Sequence, residues 1–179
     1  MPDSSFPTPS SVPERPSAAC LGGRPPQQIG LVVSDIAAML RRYVDILGVG
    51  PWECFTHGPE TVPVLEYLGR PATFSMRVAL SSTQPQIELI EPLTGPNIYA
   101  DWMRKHGEGM HHVAYSVESM DEGIAEMRAL GYPLIQYGAG FGVDGDGAFA
   151  YFDTEADLAM IVELRVPPRR RVPEFTFPV

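Results

Sequence analysis

The stretch KHGEGMHHVAYSV, residues 105–117, decides how the chain is organised. It begins in a polar, glycine-containing turn, passes through the pair His111-His112 and continues as an alternating apolar run, which is typical of a β-strand. A histidine at the start of a strand can direct its imidazole into the space that a sheet encloses, and neutral imidazole is the commonest metal ligand. The stretch therefore predicts a site at His112, provided that other ligand side chains converge on it.

The composition narrows the class of protein. The 179 residues are 44% hydrophobic and 20% charged, which suits one compact unit or two small fused modules. A net charge of -9 argues against a nucleic-acid partner. No apolar stretch reaches membrane-spanning length, and the N-terminus has no secretory pattern. Cys20 and Cys54 lie far apart and do not form a metal-type pair, so we expect a reduced, cytoplasmic protein.

The order of patterns along the chain predicts five segments. Residues 1–24 are rich in Pro and Ser and predict a disordered arm. Residues 25–96 alternate strand patterns with one amphipathic helix, which begins after Ser34 or Asp35 and ends at Gly48. Residues 97–108 predict a linking helix, residues 109–166 a second unit and residues 167–179 a C-terminal tail. The basic run at residues 169–171 lies in this tail and is expected to be solvated.

The second unit repeats the first. When Gln28 is placed over His112, Asp35 falls on Ser119 and the two helices align. The last strand of each half then carries a glutamate between apolar neighbours, in Ile87-Glu88-Leu89 and in Val162-Glu163-Leu164. The sequence thus predicts an α+β fold of two tandem βαβββ modules, whose curved sheets surround a cleft.

Four polar residues are the candidate site: Gln28, Glu88, His112 and Glu163. Side chains alternate across a strand, so each glutamate faces away from its apolar neighbours and towards the concave side of the sheet. One imidazole with several oxygens suits a divalent ion, namely Zn²⁺, Co²⁺, Ni²⁺ or Mn²⁺. Such an ion can polarise a carbonyl group while a glutamate takes a proton from the neighbouring carbon.

Three of these residues also have a purely structural interpretation. Glu163 can be an edge-strand charge, His112 can bond to the backbone, and Gln28 can be a solvated polar residue at a strand start. His111 is expected to point to the opposite face from His112. His57 is expected to border the cleft, and the glycine-rich segment 138–147 to form a loop or lid at its mouth.

The chain resembles the vicinal oxygen chelate superfamily, the glyoxalase, bleomycin-resistance and dioxygenase group, over roughly residues 27–166. The segments KHGEGMHHVA, residues 105–114, and IELIEPL, residues 87–93, look most like methylmalonyl-CoA epimerases. This resemblance implies that His112, Glu88 and Glu163 are metal ligands, that Glu163 is a base and that the protein is a homodimer. The implied substrate is a small molecule, either an acyl-CoA or a thiol adduct.

Two departures keep other functions open. The epimerases carry His where this chain has Gln28, and a Gln, Glu, His, Glu set instead resembles zinc glyoxalase I enzymes, which are lyases. The epimerases' additional glutamate in the first module is replaced near Ser75 or Met76, so Glu88 would have to be the second base. A metal-free binding protein, like the resistance proteins of the superfamily, is the third alternative. With a single His in the set, the extradiol dioxygenase branch is disfavoured.

Overall fold

The computed structural model describes residues 21–178 and is built around one mixed sheet of eleven strands within that range. The predicted arm thus lies outside the described residues, apart from residues 21–24. The strands and helices follow the chain in this order: β1 Gln28–Val32, α1 Ile36–Leu47, β2 Trp52–His57, β3 Val64–Tyr67, β4 Arg70–Pro71, β5 Ser75–Ser81, β6 Gln86–Thr94, α2 Ile98–His106, β7 Gly109–Ser116, α3 Met120–Ala129, β8 Leu134–Phe141, β9 Gly147–Phe152, α4 Glu155–Leu158, β10 Ile161–Val166 and β11 Phe175–Phe177.

The predicted α+β fold of two βαβββ modules is confirmed. Four strands of each half lie in mirrored order, β2-β5-β6-β1 followed by β7-β10-β9-β8, and the halves meet where β1 pairs antiparallel with β7. The predicted repeat register holds as well. Gln28 pairs with Ala114 and His112 pairs with Gly30, so Gln28 and His112 occupy equivalent positions about the β1–β7 junction.

The helix boundaries follow local chemistry that the sequence contains. Asp35 caps α1 by accepting a hydrogen bond from the Ala38 N–H, and Gly48 ends it in the left-handed conformation. Asn97 caps α2 and Ser119 caps α3 in the same way, with side-chain oxygens that accept from the first turn. These caps place α1 and α3 at matching positions in the two modules.

Alternation along the strands divides the molecule into two sides. Leu89 packs with Ile36 and Leu40 of α1, while Val162 and Leu164 pack in the cluster that contains Met120 and Met127 of α3. Because neighbouring side chains on a strand point to opposite faces, the residues between these positions face the other side of the sheet. That side lines a cavity of about 520 Å³.

Three segments differ from the prediction. The apolar run that forms β3 does not join the sheet of the first module but pairs with β8 of the second. The segment 138–147 is not a loop throughout, because β8 continues to Phe141 and β9 begins at Gly147, which leaves a turn at residues 142–146. The C-terminal tail contributes a strand, β11, which pairs with β2.

The basic run in the tail is also not simply solvated. Arg169 and Arg170 pair with acidic residues of the turn at residues 142–146, and Arg171 pairs with Glu53 of β2, with N–O distances of 2.5 to 2.6 Å. These contacts hold the tail across both modules. Within residues 21–178, no helix combines the length and the apolar character needed to cross a bilayer.

Candidate metal centre

Three of the four predicted ligands meet at the base of the cavity. The Nε2 atom of His112 lies 3.2 Å from Glu88 Oε2 and 3.0 Å from Glu163 Oε2, and the three potential ligand atoms lie within 4.8 Å of one another. His112 is fully buried, Glu163 is 4% exposed and the Glu88 side chain is 12% exposed. The fold thus brings one imidazole and two carboxylates from three strands to one point.

The strand register explains this convergence. Gly30 of β1 pairs with Glu88 of β6 on one side and with His112 of β7 on the other, so the two side chains share a row across the sheet. Ala114 pairs with both Gln28 and Glu163 in the next row. Registered residues lie on the same face of a sheet, which places all four predicted residues on the cavity side.

The polar atoms at the base of the cavity are ones that a bound cation could coordinate. His112 Nε2, Glu88 Oε2 and Glu163 Oε2 are buried, and none of them makes a hydrogen bond of acceptable geometry within the described part of the chain. Buried polar groups without partners are costly, and two carboxylates around one imidazole are a ligand set used for divalent transition metals. The residues present therefore fit a divalent metal ion.

Gln28 lies beside this cluster, but its contacts differ from those of the other three. It is 2% exposed and lines the cavity, and its Nε2 donates to Gln86 Oε1 at 3.0 Å. Because the nitrogen is the atom held by Gln86, the amide oxygen is the atom left to act as a ligand. Whether it binds an ion stays a prediction.

The predicted orientation of His111 is wrong. The pairing of β1 with β7 shifts at Gly30/Leu31, and this β-bulge brings His111 to the same side as His112, with 2.9 Å between their Nδ1 atoms. Burial and the neighbouring His112 hold the pKa of His111 well below its usual range, so it is neutral. Neutral His111 can accept a hydrogen bond from His112 Nδ1–H, which leaves Nε2 as the His112 atom that faces the carboxylates and could bind an ion after it loses its proton.

The carboxylates in turn set the charge of the unliganded cluster. Burial disfavours the imidazolium, but the closeness of the Glu163 and Glu88 carboxylates outweighs burial and raises the pKa of His112 to about 9. Burial raises the pKa of Glu163. A metal ion at this point must therefore displace a proton from the cluster, as is usual for histidine ligands.

Gly30 is a residue of the site that was not among the predicted ones. The His112 imidazole lies directly over it, because a Cβ atom at position 30 would stand 1.8 Å from His112 Cε1 and 2.2 Å from Nε2. The absence of a side chain at Gly30 is what allows His112 to reach Glu88 across β1. The signal in the sequence was a glycine inside a strand pattern, which indicates close approach of another group.

The remaining cavity wall is mostly apolar, with a few polar groups. Tyr99 and Tyr151 line it, with their hydroxyl groups 3.0 Å apart, and the Tyr151 ring packs edge-on against His112. His57 borders the cavity as predicted, between the rings of Phe55 and Phe141. Met76 also lines the cavity, in the region where the first module was expected to lack an additional glutamate.

Comparison with known proteins agrees with the fold. The model of the glyoxalase/bleomycin resistance protein/dioxygenase superfamily matches residues 27–152, so the chain belongs to this superfamily, as the sequence resemblance indicated. No curated protein matches the sequence with significance.

Solved structures with this fold include methylmalonyl-CoA epimerases. The enzyme from Mycobacterium tuberculosis has a TM-score of 0.53 at 20% identity, over 82% of this chain and 87% of that chain. A variant of the Streptomyces coelicolor enzyme in complex with 2-nitronate-propionyl-CoA has a TM-score of 0.56 at 18% identity, over 83% and 98% of the chains. A hypothetical protein from Bacillus halodurans C-125 has a TM-score of 0.60 at 23% identity, over 83% and 97%. At these identities the likeness shows the fold.

Proposed function

We propose that this protein is a metal-dependent isomerase of the methylmalonyl-CoA epimerase type, which removes and returns a proton beside the carbonyl group of an acyl thioester. The observation that carries the proposal is the buried cluster of Glu88, His112 and Glu163, whose potential ligand atoms converge at the base of a cavity of about 520 Å³. A cavity of this volume suits a small-molecule substrate.

Each residue of the cluster has a role in this reaction. His112, Glu88 and Glu163 would hold the ion, with Gln28 as a fourth ligand. When bound, the ion supplies Lewis acidity that stabilises negative charge on the substrate's carbonyl oxygen. The Glu163 carboxylate is the base that we assign to the neighbouring carbon, because it lines the cavity directly beside His112 Nε2, where the ion would be held.

Epimerisation requires a second acid–base group on the opposite face of that carbon. Glu88 comes from β6 and Glu163 from β10, and the His112 imidazole of β7 lies between them. The two carboxylates thus approach the centre from the two modules. Glu88 is therefore the group that we assign to returning the proton on the second face.

A lyase of the glyoxalase I type is the second candidate, and Gln28 is the observation that favours it. A Gln, Glu, His, Glu ligand set resembles that of the glyoxalase I enzymes. The epimerases instead carry a His at the position of Gln28. The substrate would then be a thiol adduct of an α-oxoaldehyde, and the same two glutamates would move the proton. A homodimer and a cytoplasmic location complete the proposal.

Hydrogen exchange tests the shared chemistry. Incubation of the metal-loaded protein in D₂O with methylmalonyl-CoA is expected to place deuterium on the α-carbon, measured by mass spectrometry, and the Glu163→Gln variant is the control. A glutathione hemithioacetal of methylglyoxal, assayed in parallel, separates lyase from epimerase. If the loaded protein exchanged deuterium into neither substrate, the proposal would be wrong.

A further inference from the structure

One imidazole of the cavity wall has no role in the metal centre. His57 of β2 is half-buried and lines the cavity, and neither of its ring nitrogens forms a hydrogen bond within residues 21–178. Its Nδ1 atom is buried without a partner, whereas the unpartnered Nε2 atom remains accessible. The ring therefore presents Nε2 to the cavity.

The burial of Nδ1 decides which nitrogen carries the hydrogen. Burial lowers the pKa of His57 because it disfavours the imidazolium, so the ring is neutral at physiological pH and carries one N–H. A hydrogen on Nδ1 would be a buried donor without an acceptor, which is rare in folded proteins. The favoured tautomer thus has its hydrogen on Nε2. His57 is a hydrogen-bond donor that faces the cavity.

The charges around His57 favour an uncharged acceptor. Among the described residues, the charged groups that act most strongly on its ring are the carboxylates of Glu88 and Glu174. Both would repel an anion bound beside His57, and a neutral imidazole does not supply the charge that a desolvated anion needs. The matching ligand atom is therefore the oxygen of an uncharged group, such as a hydroxyl.

A row of rings joins His57 to the metal centre. Consecutive ring centroids lie 5.1 to 5.9 Å apart along the series Phe55, His57, Phe141, Phe149, Tyr151 and His112. The first five of these residues line the cavity, and β5 adds the aliphatic side chains of Met76, Val78 and Leu80. Such a wall suits a flat apolar group, since aromatic pairs gain energy beyond the area that they bury.

We propose that the row of rings and His57 form an aryl-binding subsite, in which His57 Nε2–H donates to an oxygen substituent of the ring while the substrate's carbonyl group faces the Glu88–His112–Glu163 cluster. This proposal rests on the proposed function and names its substrate class: an acyl thioester whose acyl part carries an oxygen-substituted aromatic ring. Both modules build the subsite, because His57 belongs to β2 while Phe141 and Phe149 belong to β8 and β9.

Two isosteric probes test the hydrogen bond. Methyl 4-hydroxyphenylacetate and methyl 4-methylphenylacetate share a carbonyl group and a ring, and differ only in a hydroxyl group that is replaced by a methyl group of similar size. Isothermal titration of the full-length, zinc-loaded protein measures the affinity for each probe. The ratio of the two affinities is then compared between the wild type and its variants, so that the different hydrophobicity of the probes cancels.

Three variants locate the hydrogen bond. His57→Phe keeps a ring between Phe55 and Phe141 but removes the donor, and is expected to shift the ratio by about fivefold or more towards the methyl probe. His57→Gln retains an N–H donor and is expected to shift the ratio less. His106→Gln, at an exposed histidine of α2 outside the cavity, is expected to keep the wild-type ratio. Equal ratios in the wild type and in His57→Phe would overturn the proposal.

A second pair of probes tests the aromatic wall. Methyl phenylacetate and methyl cyclohexylacetate differ in whether the ring is aromatic. In Phe141→Leu, the affinity for the phenyl probe relative to the cyclohexyl probe is expected to fall by about threefold or more. Phe175→Leu, at an exposed phenylalanine of β11, is the matched control and is expected to leave this ratio unchanged. An unchanged ratio in Phe141→Leu would show that the wall holds any apolar group, and the aryl assignment would be wrong.

Two further measurements separate this subsite from other sites. Adenosine is titrated against the same proteins, and if it bound more tightly than the hydroxyl probe in a His57-dependent manner, the subsite would hold a nucleoside rather than the acyl group. The zinc content of each protein is measured beforehand. A protein that takes up no zinc refutes the proposed function, and the same titrations on the metal-free protein still decide the aryl subsite.

Discussion

The two modules provide equivalent backbone positions but different chemistry. Gln28 of the first module and His112 of the second occupy matching places at the β1–β7 junction, each on a strand that pairs in parallel with the glutamate strand of its own module. The first module contributes an amide and a carboxylate that is 12% exposed, whereas the second contributes an imidazole and a carboxylate that is almost fully buried. The second module therefore supplies the more deeply buried half of the centre.

The residues beneath the two candidate ligands show the same asymmetry. His112 lies over Gly30, and Gln28 is paired with Ala114. The His112 imidazole needs the space that a methyl group would fill at position 30. Ala114, the residue paired with Gln28, does carry a methyl group. A duplicated scaffold can thus hold two different ligands if the facing small residue changes with the ligand.

The largest expected effect comes from the two glutamates. Glu163→Gln is expected to lower turnover by about 10³-fold or more, because it removes the proposed base while preserving side-chain shape. Glu88→Gln is expected to lower turnover as well, because epimerisation needs an acid–base group on each face of the carbon. Steady-state rates and α-deuterium exchange measure both. A Glu163→Gln variant with wild-type turnover would remove Glu163 from the role of base.

The small residues at the junction offer the next contrast. Gly30→Ala places a methyl group in the space that the His112 ring occupies, so the ring must move. The variant is therefore expected to bind zinc about 100-fold or more weakly, because a metal ligand is displaced. Ala114→Gly, the reverse change at the equivalent position of the other module, is expected to leave zinc affinity nearly unchanged. Competition with a chromophoric chelator measures both affinities. Similar losses in the two variants would contradict the proposed asymmetry.

His111 tests how His112 is oriented. His111→Phe removes the acceptor 2.9 Å from His112 Nδ1 but retains a ring of similar size among Tyr99, Trp102 and Tyr151. We expect a loss of about 10- to 100-fold in zinc affinity, the usual effect of removing a residue that orients a ligand. Thermal unfolding of the metal-free variant serves as the control for packing. If zinc affinity were unchanged, the bulge would have no role in orienting the metal ligand.

The smallest expected effect concerns Gln28. Gln28→His makes the first module resemble the second and is expected to retain zinc with affinity within about tenfold of the wild type, because imidazole replaces an amide oxygen as ligand. Gln28→Leu is the matched variant without a ligand atom and is expected to bind zinc more weakly than both. Equal zinc affinity in all three proteins would show that Gln28 never contacts the ion.

Features set by local patterns were predictable from the sequence. The caps at Asp35, Asn97 and Ser119 are short-range side-chain hydrogen bonds, and the alternation around Glu88 and Glu163 places both carboxylates opposite the helices. The alignment of the two repeats then predicted that Gln28 and His112 occupy equivalent positions in the two modules. These signals depend only on residues that are close in sequence or related by the duplication.

Features that depend on pairing between distant segments were not predictable. The orientation of His111 results from a β-bulge that exists only because β7 pairs with β1. The role of Gly30 requires knowing that His112 lies across from it, and the pairing of β3 with β8 and of β11 with β2 joins segments with no shared pattern. The ion pairs of residues 169–171 have the same origin, since their partners lie on other segments.

Metal content of the purified protein tests the central claim most directly. Elemental analysis before and after chelation, followed by reconstitution with Zn²⁺, Co²⁺, Ni²⁺ or Mn²⁺, is expected to give about one equivalent per chain, lost in His112→Ala. No bound metal after reconstitution, or full occupancy in His112→Ala, would contradict the metal centre, and the absence of metal would favour a metal-free binding protein on this fold.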